Sequence, residues 1–193
     1  MSVPHTVTAP PDWPSLEPAA KRERIIIAAI AVFAERGLEA PMHEVADAAN
    51  AGVASIYRIF PSKHDLWAAI VVRRMDEIVL ACAEAEREPG DRWAALVSLI
   101  TARVRHQSPE PFAVEARAVV EDRPEVAEAI ARATSAQNRL LDAARAEGHL
   151  RADATAEDLR LVFVATRAAR RMRPETVGRM LELMLDALQA GPE

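Results

Sequence analysis

At 193 residues, with 50% hydrophobic and 27% charged side chains, the chain has the balance of a soluble globular protein of one or two domains. Its net charge of −5 argues against a protein that coats nucleic acid indiscriminately, although a local basic patch would still suffice for specific binding. The single Cys82 excludes an internal disulfide framework and a cysteine zinc site, and the longest apolar run, Ile25 to Ala34, is too short to span a bilayer.

Sparse aromatics, abundant alanine and only six glycines favour helices over sheet. No basic region followed by an apolar stretch opens the chain, so a cytoplasmic protein without a secretory signal is expected. Residues 1–18 contain five prolines and no hydrophobic period, which predicts a flexible arm. A first helix is expected over Pro18–Arg36, with proline in its first turn and Gly37 just past its end; Ile26, Ala29, Ile30 and Phe33 form its buried stripe. The next helix opens at Pro41 and turns Val45, Ala46 and Ala49 inward. A further helix carries Ile56 and Phe60 four apart and stops at Pro61. Ser62 caps a longer helix to about Glu86, ended by Pro89-Gly90. Helices then follow over about Asp91–His106, Pro111–Val120, Pro124–Glu147, Thr155–Arg170 and Pro174–Gln189, about nine in all. Thr155 with Asp158 three residues on is a capping-box pattern. No strand-like alternation, internal repeat or glycine-rich phosphate cradle appears.

The stretch "EVADAANAGVASIYRIFPSK", Glu44 to Lys63, has the pattern of a helix-turn-helix. Its only glycine is Gly52, yet helical spacing puts the turn two residues earlier, at Asn50, the residue type that best tolerates positive φ after glycine. The basic groups of this region are clustered: Lys21, Arg22 and Arg24, then Arg58 and Lys63. Lys21 and Lys63 are also the only two lysines in the chain.

Residues Arg22 to Lys63 resemble the DNA-binding domain of the TetR-like family of transcriptional regulators. The matching residues are Arg22, Ile25-Ile26, Ala28-Ala29, Val32-Phe33, Gly37, Val45-Ala46, Ala49, Ser55-Ile56-Tyr57, Phe60 and Ser62-Lys63, without a gap. The stretch "AEGHLRADATAEDL", Ala146 to Leu159, is similar to the family's passage into its dimer helices. Asn50 stands where the family usually has glycine, and Gly52 where it usually has a capping serine. The resemblance implies an all-α protein: a flexible arm (1–18), a three-helix helix-turn-helix domain (19–66) and a helical ligand-binding and dimerisation domain (67–193).

It further implies a ligand-responsive dimeric regulator, a repressor released by a small molecule from an inverted-repeat operator in double-stranded DNA. Candidates for base contacts are Gly52, Val53, Ala54, Ser55 and Arg58. Arg58 is the only one able to pair bidentately with guanine. Val53 is contested, since its spacing to Ile56 and Phe60 fits a core stripe while the family register turns it toward DNA. Tyr57 and Lys63 are candidates for phosphate contacts, joined by Lys21 and Arg22 from the first helix and His43 from the second. The helices over 155–170 and 174–189 are the expected homodimer interface. Ligand-pocket candidates are Met75, Val79, Trp93, Leu96, Phe112, Leu140 and Phe163, with Arg103, His106 and Glu115 as polar partners. Arg167, Arg170, Arg171 and Arg173 crowd a helix end, where dipole and solvent contacts account for them.

Two other readings compete. Catalysis has little support: no histidine follows a glutamate by three residues, no serine sits in a nucleophile elbow, and His43 with Asp47 reads as a local surface pair, so no metal or cofactor is expected. A helical dimeric scaffold that has lost sequence-specific DNA binding is the stronger rival, supported by the acidic balance, Gly52 and the few polar base readers.

Overall fold

The computed structural model describes residues 12–105 and 112–190, and the described residues fall into two compact units, divided between Trp67 and Ala68. Nine α-helices are described: α1 (Pro18–Arg36), α2 (Met42–Ala48), α3 (Val53–Ile59), α4 (Lys63–Arg87), α5 (Arg92–Arg105), α6 (Phe112–Val120), α7 (Pro124–Ala146), α8 (Ala156–Met172) and α9 (Val177–Leu188). Of the predicted arm, residues 1–11 lie outside the described residues, and Trp13–Ser15 form a single 3-10 turn.

The first unit is built on α1, α2, α3 and the first turn of α4. Ile25, Ile26, Ala28, Ala29 and Phe33 bury one face of α1; Met42, Val45 and Ala46 do so for α2, and Ile56 for α3. α1 ends as its sequence predicts. Gly37 adopts φ 79°, which a side chain would strain, and its N–H donates to the Phe33 carbonyl at 2.9 Å.

The turn between α2 and α3 falls at Asn50, whose φ of 50° makes it the one non-glycine residue with positive φ among the described residues. The Asn50 N–H donates to Asp47 O (3.0 Å) and the Ala51 N–H to Ala46 O (2.9 Å). This pair of bonds is a Schellman closure, which satisfies the last carbonyls of α2 and needs a left-handed residue in this place. Asparagine serves because its short polar side chain tolerates that conformation. Gly52 then caps α3 with extended backbone and no side-chain bond. α4 starts on a complete reciprocal box: the Ser62 N–H and hydroxyl donate to Asp65 Oδ2 (2.8 and 2.7 Å), and the Asp65 N–H donates to Ser62 Oγ (3.2 Å).

In the second unit Leu96, Ile100 and Val104 of α5, Leu140, Leu141 and Ala144 of α7, and Leu159 and Val162 of α8 share one core. α8 carries the predicted capping box, with the Thr155 N–H donating to Asp158 Oδ2 at 2.7 Å and the Asp158 N–H to Thr155 Oγ1 at 3.4 Å. The apolar stripe of α9 turns largely into its own unit: Val177, Leu181 and Leu188 are buried, and Met180, Met184 and Leu185 pack beside them.

Arginines close several helix ends. Arg92 donates from Nη1 to Glu86 O (3.0 Å) and from Nη2 to Glu88 O (2.9 Å) at the end of α4, and Arg170 Nη2 donates to Val104 O of α5 at 2.5 Å. The last carbonyls of a helix lack intrahelical partners, and a guanidinium fork reaches several at once. Arg170 therefore departs from the solvent-facing role its sequence suggests, while Arg171 and Arg173 are exposed. A feature the sequence does not announce is an isolated antiparallel bridge between Leu150 and Gln189, in which the Arg151 N–H donates to Leu188 O and the Ala190 N–H to His149 O, each at 3.0 Å.

Candidate functional site

In α3, Val53, Ala54, Tyr57 and Arg58 are exposed while Ile56 is buried, with Phe60 just past its end. The exposed positions recur at one and four residues, so they share one side of the helix, opposite the core side. Val53 is 39% exposed and thus lies off the core stripe its spacing to Ile56 suggested; Ala51 is half-buried instead. Ser55 sits between the two sides, half-buried, and Gly52 is exposed at the start. The face is low in relief, with Tyr57 (45% exposed) and Arg58 as its projecting side chains.

The cations around it are held locally. Arg58 folds back along its own helix, with Nε donating to Ala54 O (3.2 Å) and Nη2 to Ser55 Oγ (3.5 Å). The Arg22 guanidinium lies 4.5 Å from the centroid of the Phe60 ring. Lys63 Nζ lies 5.5 Å from the Trp67 ring and 5.9 Å from that of Phe33. Lys21 Nζ donates to Pro14 O at 3.4 Å, and His43 is exposed on α2. Each of these contacts is weak at an exposed site, about 0.5–1 kcal/mol for a cation over a ring, so exchange for a phosphate costs little.

The second unit contains two adjoining cavities of about 360 and 250 Å3 whose walls share Ile78, Arg103, Gln137 and Phe163. Met75, Arg103 and Phe163 are the predicted pocket residues that line them. Val79, Trp93, Leu96 and Leu140 line neither; Leu96 and Leu140 are fully buried in the core, and Trp93 packs against it. Phe112 is buried elsewhere, Glu115 is exposed, and His106 lies outside the described residues. The smaller cavity is walled by arginines that the sequence reading did not associate: Arg74, Arg117, Arg160 and Arg167 beside Arg103. One signal was available, because Arg160, Phe163, Val164 and Arg167 fall at i, i+3, i+4 and i+7, a helical face that mixes arginine with apolar residues.

Arg103 is half-buried, and its guanidinium lies 5.2 Å from the centroid of the Phe163 ring. Burial, reinforced by the neighbouring Arg74, pushes its pKa down to about 10, which leaves it a cation at neutral pH. Cys82 lines the larger cavity; burial, then the charge of Glu86, pushes its thiol up, so it is an apolar wall rather than a thiolate. Asp91, Glu147 and His149 bring three potential metal-ligand atoms within 4.8 Å of one another. Both carboxylates serve the start of α5, where Asp91 Oδ1 accepts from the Trp93 N–H and Glu147 Oε2 from the Arg92 N–H, each at 2.8 Å. Among the described residues no helix is long and apolar enough to cross a membrane.

Comparison with known proteins agrees with this architecture. Residues 25–70 match the family model described as bacterial regulatory proteins, tetR family. The chain is 34% identical over 83 residues to the HTH-type transcriptional activator FasR of Mycolicibacterium smegmatis; the match covers 42% of this chain but only 38% of that protein. Crystal structures of a TetR transcription regulatory protein from Mycobacterium vanbaalenii and of a TetR transcriptional regulator from Streptomyces coelicolor are each 26% identical, with TM-scores of 0.65. They cover 90% and 89% of this chain, which in turn spans 97% and 99% of theirs. Residues 25–70 thus form a helix-turn-helix domain of the tetR type, and the chain as a whole shares the fold of these TetR regulators.

Proposed function

We propose that the protein is a dimeric, ligand-responsive transcription regulator, a repressor released from an inverted-repeat operator when a small molecule enters its second unit. The observation that carries this reading is the α2–turn–α3 arrangement, closed at Asn50, which leaves Val53, Ala54, Tyr57 and Arg58 together on an exposed face. In the proposed complex this face enters the major groove. Val53 and Ala54 meet thymine methyls, Arg58 swings from its own helix toward guanine, and Gly52 and Ser55 let the backbone approach closely. Tyr57, Lys63, Lys21, Arg22 and His43 contact phosphates and set the register. With so few polar base readers, specificity leans on DNA shape and on half-site spacing, about 34–36 Å or a multiple for a two-fold dimer.

Dimerisation through α8 and α9 is supported by side chains left outward after α9 has packed within its own unit: Leu161 and Met172 on α8, and Leu183 on α9. Two copies joined there form a four-helix contact. Ligand control requires about 1–3 kcal/mol of coupling between cavity and recognition helices. FasR is an activator by name, so the position of the operator relative to the promoter decides the sign of regulation.

The test is selection of bound genomic fragments by the purified protein at two salt concentrations. A shared inverted repeat, bound less tightly as salt rises, is expected. Recovery of no shared sequence would favour the scaffold reading, for which the acidic balance, Gly52 and the few polar base readers speak.

A further inference from the structure

We propose that the paired cavities bind an anion-headed amphiphile, a small molecule with a carboxylate or phosphoryl group at one end and an apolar body at the other. The inference rests on the ligand-responsive reading above and specifies the chemistry of its ligand.

The smaller cavity is strongly cationic. Five arginines wall the smaller cavity, and Glu157 is the one carboxylate among the described residues that line it. Glu157 is already engaged, because Arg160 donates to it from Nε and Nη2. Arg103 makes no hydrogen bond or ion pair among the described residues; its guanidinium lies over the Phe163 ring, and the charge of Glu77 only partly offsets burial and the neighbouring Arg74. A half-buried cation beside further cations carries a like-charge penalty, which an anion in the cavity would relieve. Guanidinium forks match planar carboxylate and phosphoryl oxygens, and such bonds are among the strongest available to a protein site.

The residues along one wall are also ordered. α4 contributes Arg74 and Met75 to the smaller cavity, Ile78 to both, and Ala81, Cys82, Glu84 and Ala85 to the larger, with Glu88 just past its end. These positions recur every three or four residues, so they form one stripe: cation, apolar middle, then carboxylate. Arg74 and Glu84 are separated by about 15 Å of helix. Leu99 and Ala102 of α5 complete the apolar middle. The stripe orients its guest, since Glu88 and the neighbouring Glu84 repel an anionic head and the arginine cluster attracts it. Volumes of about 360 and 250 Å3 fit a guest at the small end of the usual range, about 300–1,000 Å3 for ligand sites.

The experiment titrates the purified full-length chain calorimetrically with decanoate, decyl phosphate and decanol, all below their aggregation concentrations. One of the anions should bind at least about tenfold more tightly than decanol. Preference between the two anions then identifies the head group. Arg103→Met and Arg74→Gln should each weaken the preferred anion about tenfold and leave decanol unchanged. Two variants on different helices guard against one of them failing to fold. Equal affinity for the anions and the alcohol, no measurable binding of any probe, or undiminished anion binding by both folded variants would overturn the proposal. Run beside the fragment selection, the outcomes separate. An operator recovered without anion preference removes the cavity assignment alone, and anion binding without an operator removes the regulator reading alone.

Discussion

The two units use their basic side chains in opposite ways. In the first, cations rest on local and exchangeable partners: Arg22 on a ring, Lys63 on two rings, Arg58 on its own helix. In the second, arginines reach between segments. Arg92 and Arg170 close the ends of α4 and α5, Arg145 Nη2 donates to Ala154 O at 2.7 Å, and others converge on a cavity. Both lysines of the chain belong to the first unit, but Arg22 and Arg58 share the same kind of local contact there, so the difference lies in placement as well as in side-chain chemistry. A flexible point charge suits a surface that must meet a phosphate, whereas a rigid five-donor fork suits carbonyls and planar anions.

The comparison presumes that each unit holds its own core, and the largest effect tests that. Ile56→Ala should cost the first unit about 2–5 kcal/mol and split calorimetric melting into two transitions, the lower one belonging to the mutated unit. A single transition shifted as a whole would show that the units unfold together. Next, Arg170→Met should destabilise by about 1–3 kcal/mol, because the Val104 carbonyl loses its donor, whereas Arg171→Met at an exposed position should stay within about 0.5 kcal/mol. If the two variants melt alike, the carbonyl-closing role of the second unit's arginines fails. Asn50→Val, forced to positive φ, should lose about 1–2 kcal/mol in denaturant unfolding, while Asn50→Gly should be nearly neutral.

Lys63→Gln should change stability little but lower affinity for every operator variant evenly, and reduce the salt slope of binding by about one. An unchanged slope would place Lys63 off the phosphates. The smallest expected effect is a gain. Gly52 has φ −71° and ψ 140°, and an added Cβ there would meet nothing closer than Ser55 Oγ at 3.9 Å. Gly52→Ser should therefore stabilise by a few tenths of a kcal/mol in thermal melts, by supplying the missing cap.

Helix ends were legible because proline and glycine mark them: Pro18 and Gly37 for α1, Pro124 and Gly148 around α7. Asn50 was suggested by helical spacing and settled by the resemblance, in which it takes the place where the family usually has glycine. The start of α9 was less so, because the Pro174–Thr176 turn precedes it as a 3-10 segment, and a proline-led turn reads as the helix itself. The arginine wall was illegible as a set. Its members come from α4, α5, α6 and α8, and nothing in a linear pattern says which faces of four helices meet. For the same reason Phe163 and Arg103 were found singly, whereas Leu96 and Leu140 look no different from cavity residues until packing is known.

The contact between Leu150 and Gln189 has a consequence for how the chain tolerates damage. It shuts the segment carrying α8 and α9 into a ring of about forty residues, at a closure entropy that grows only slowly with length. A protease cut in the connection between α8 and α9 would open the ring without freeing either piece. One fragment would stay anchored by the covalent chain through α7, the other by main-chain bonds at Arg151 and Ala190 and by the buried side chains of α9. Nicked protein would then migrate as two bands under denaturing conditions and as one species in its native state.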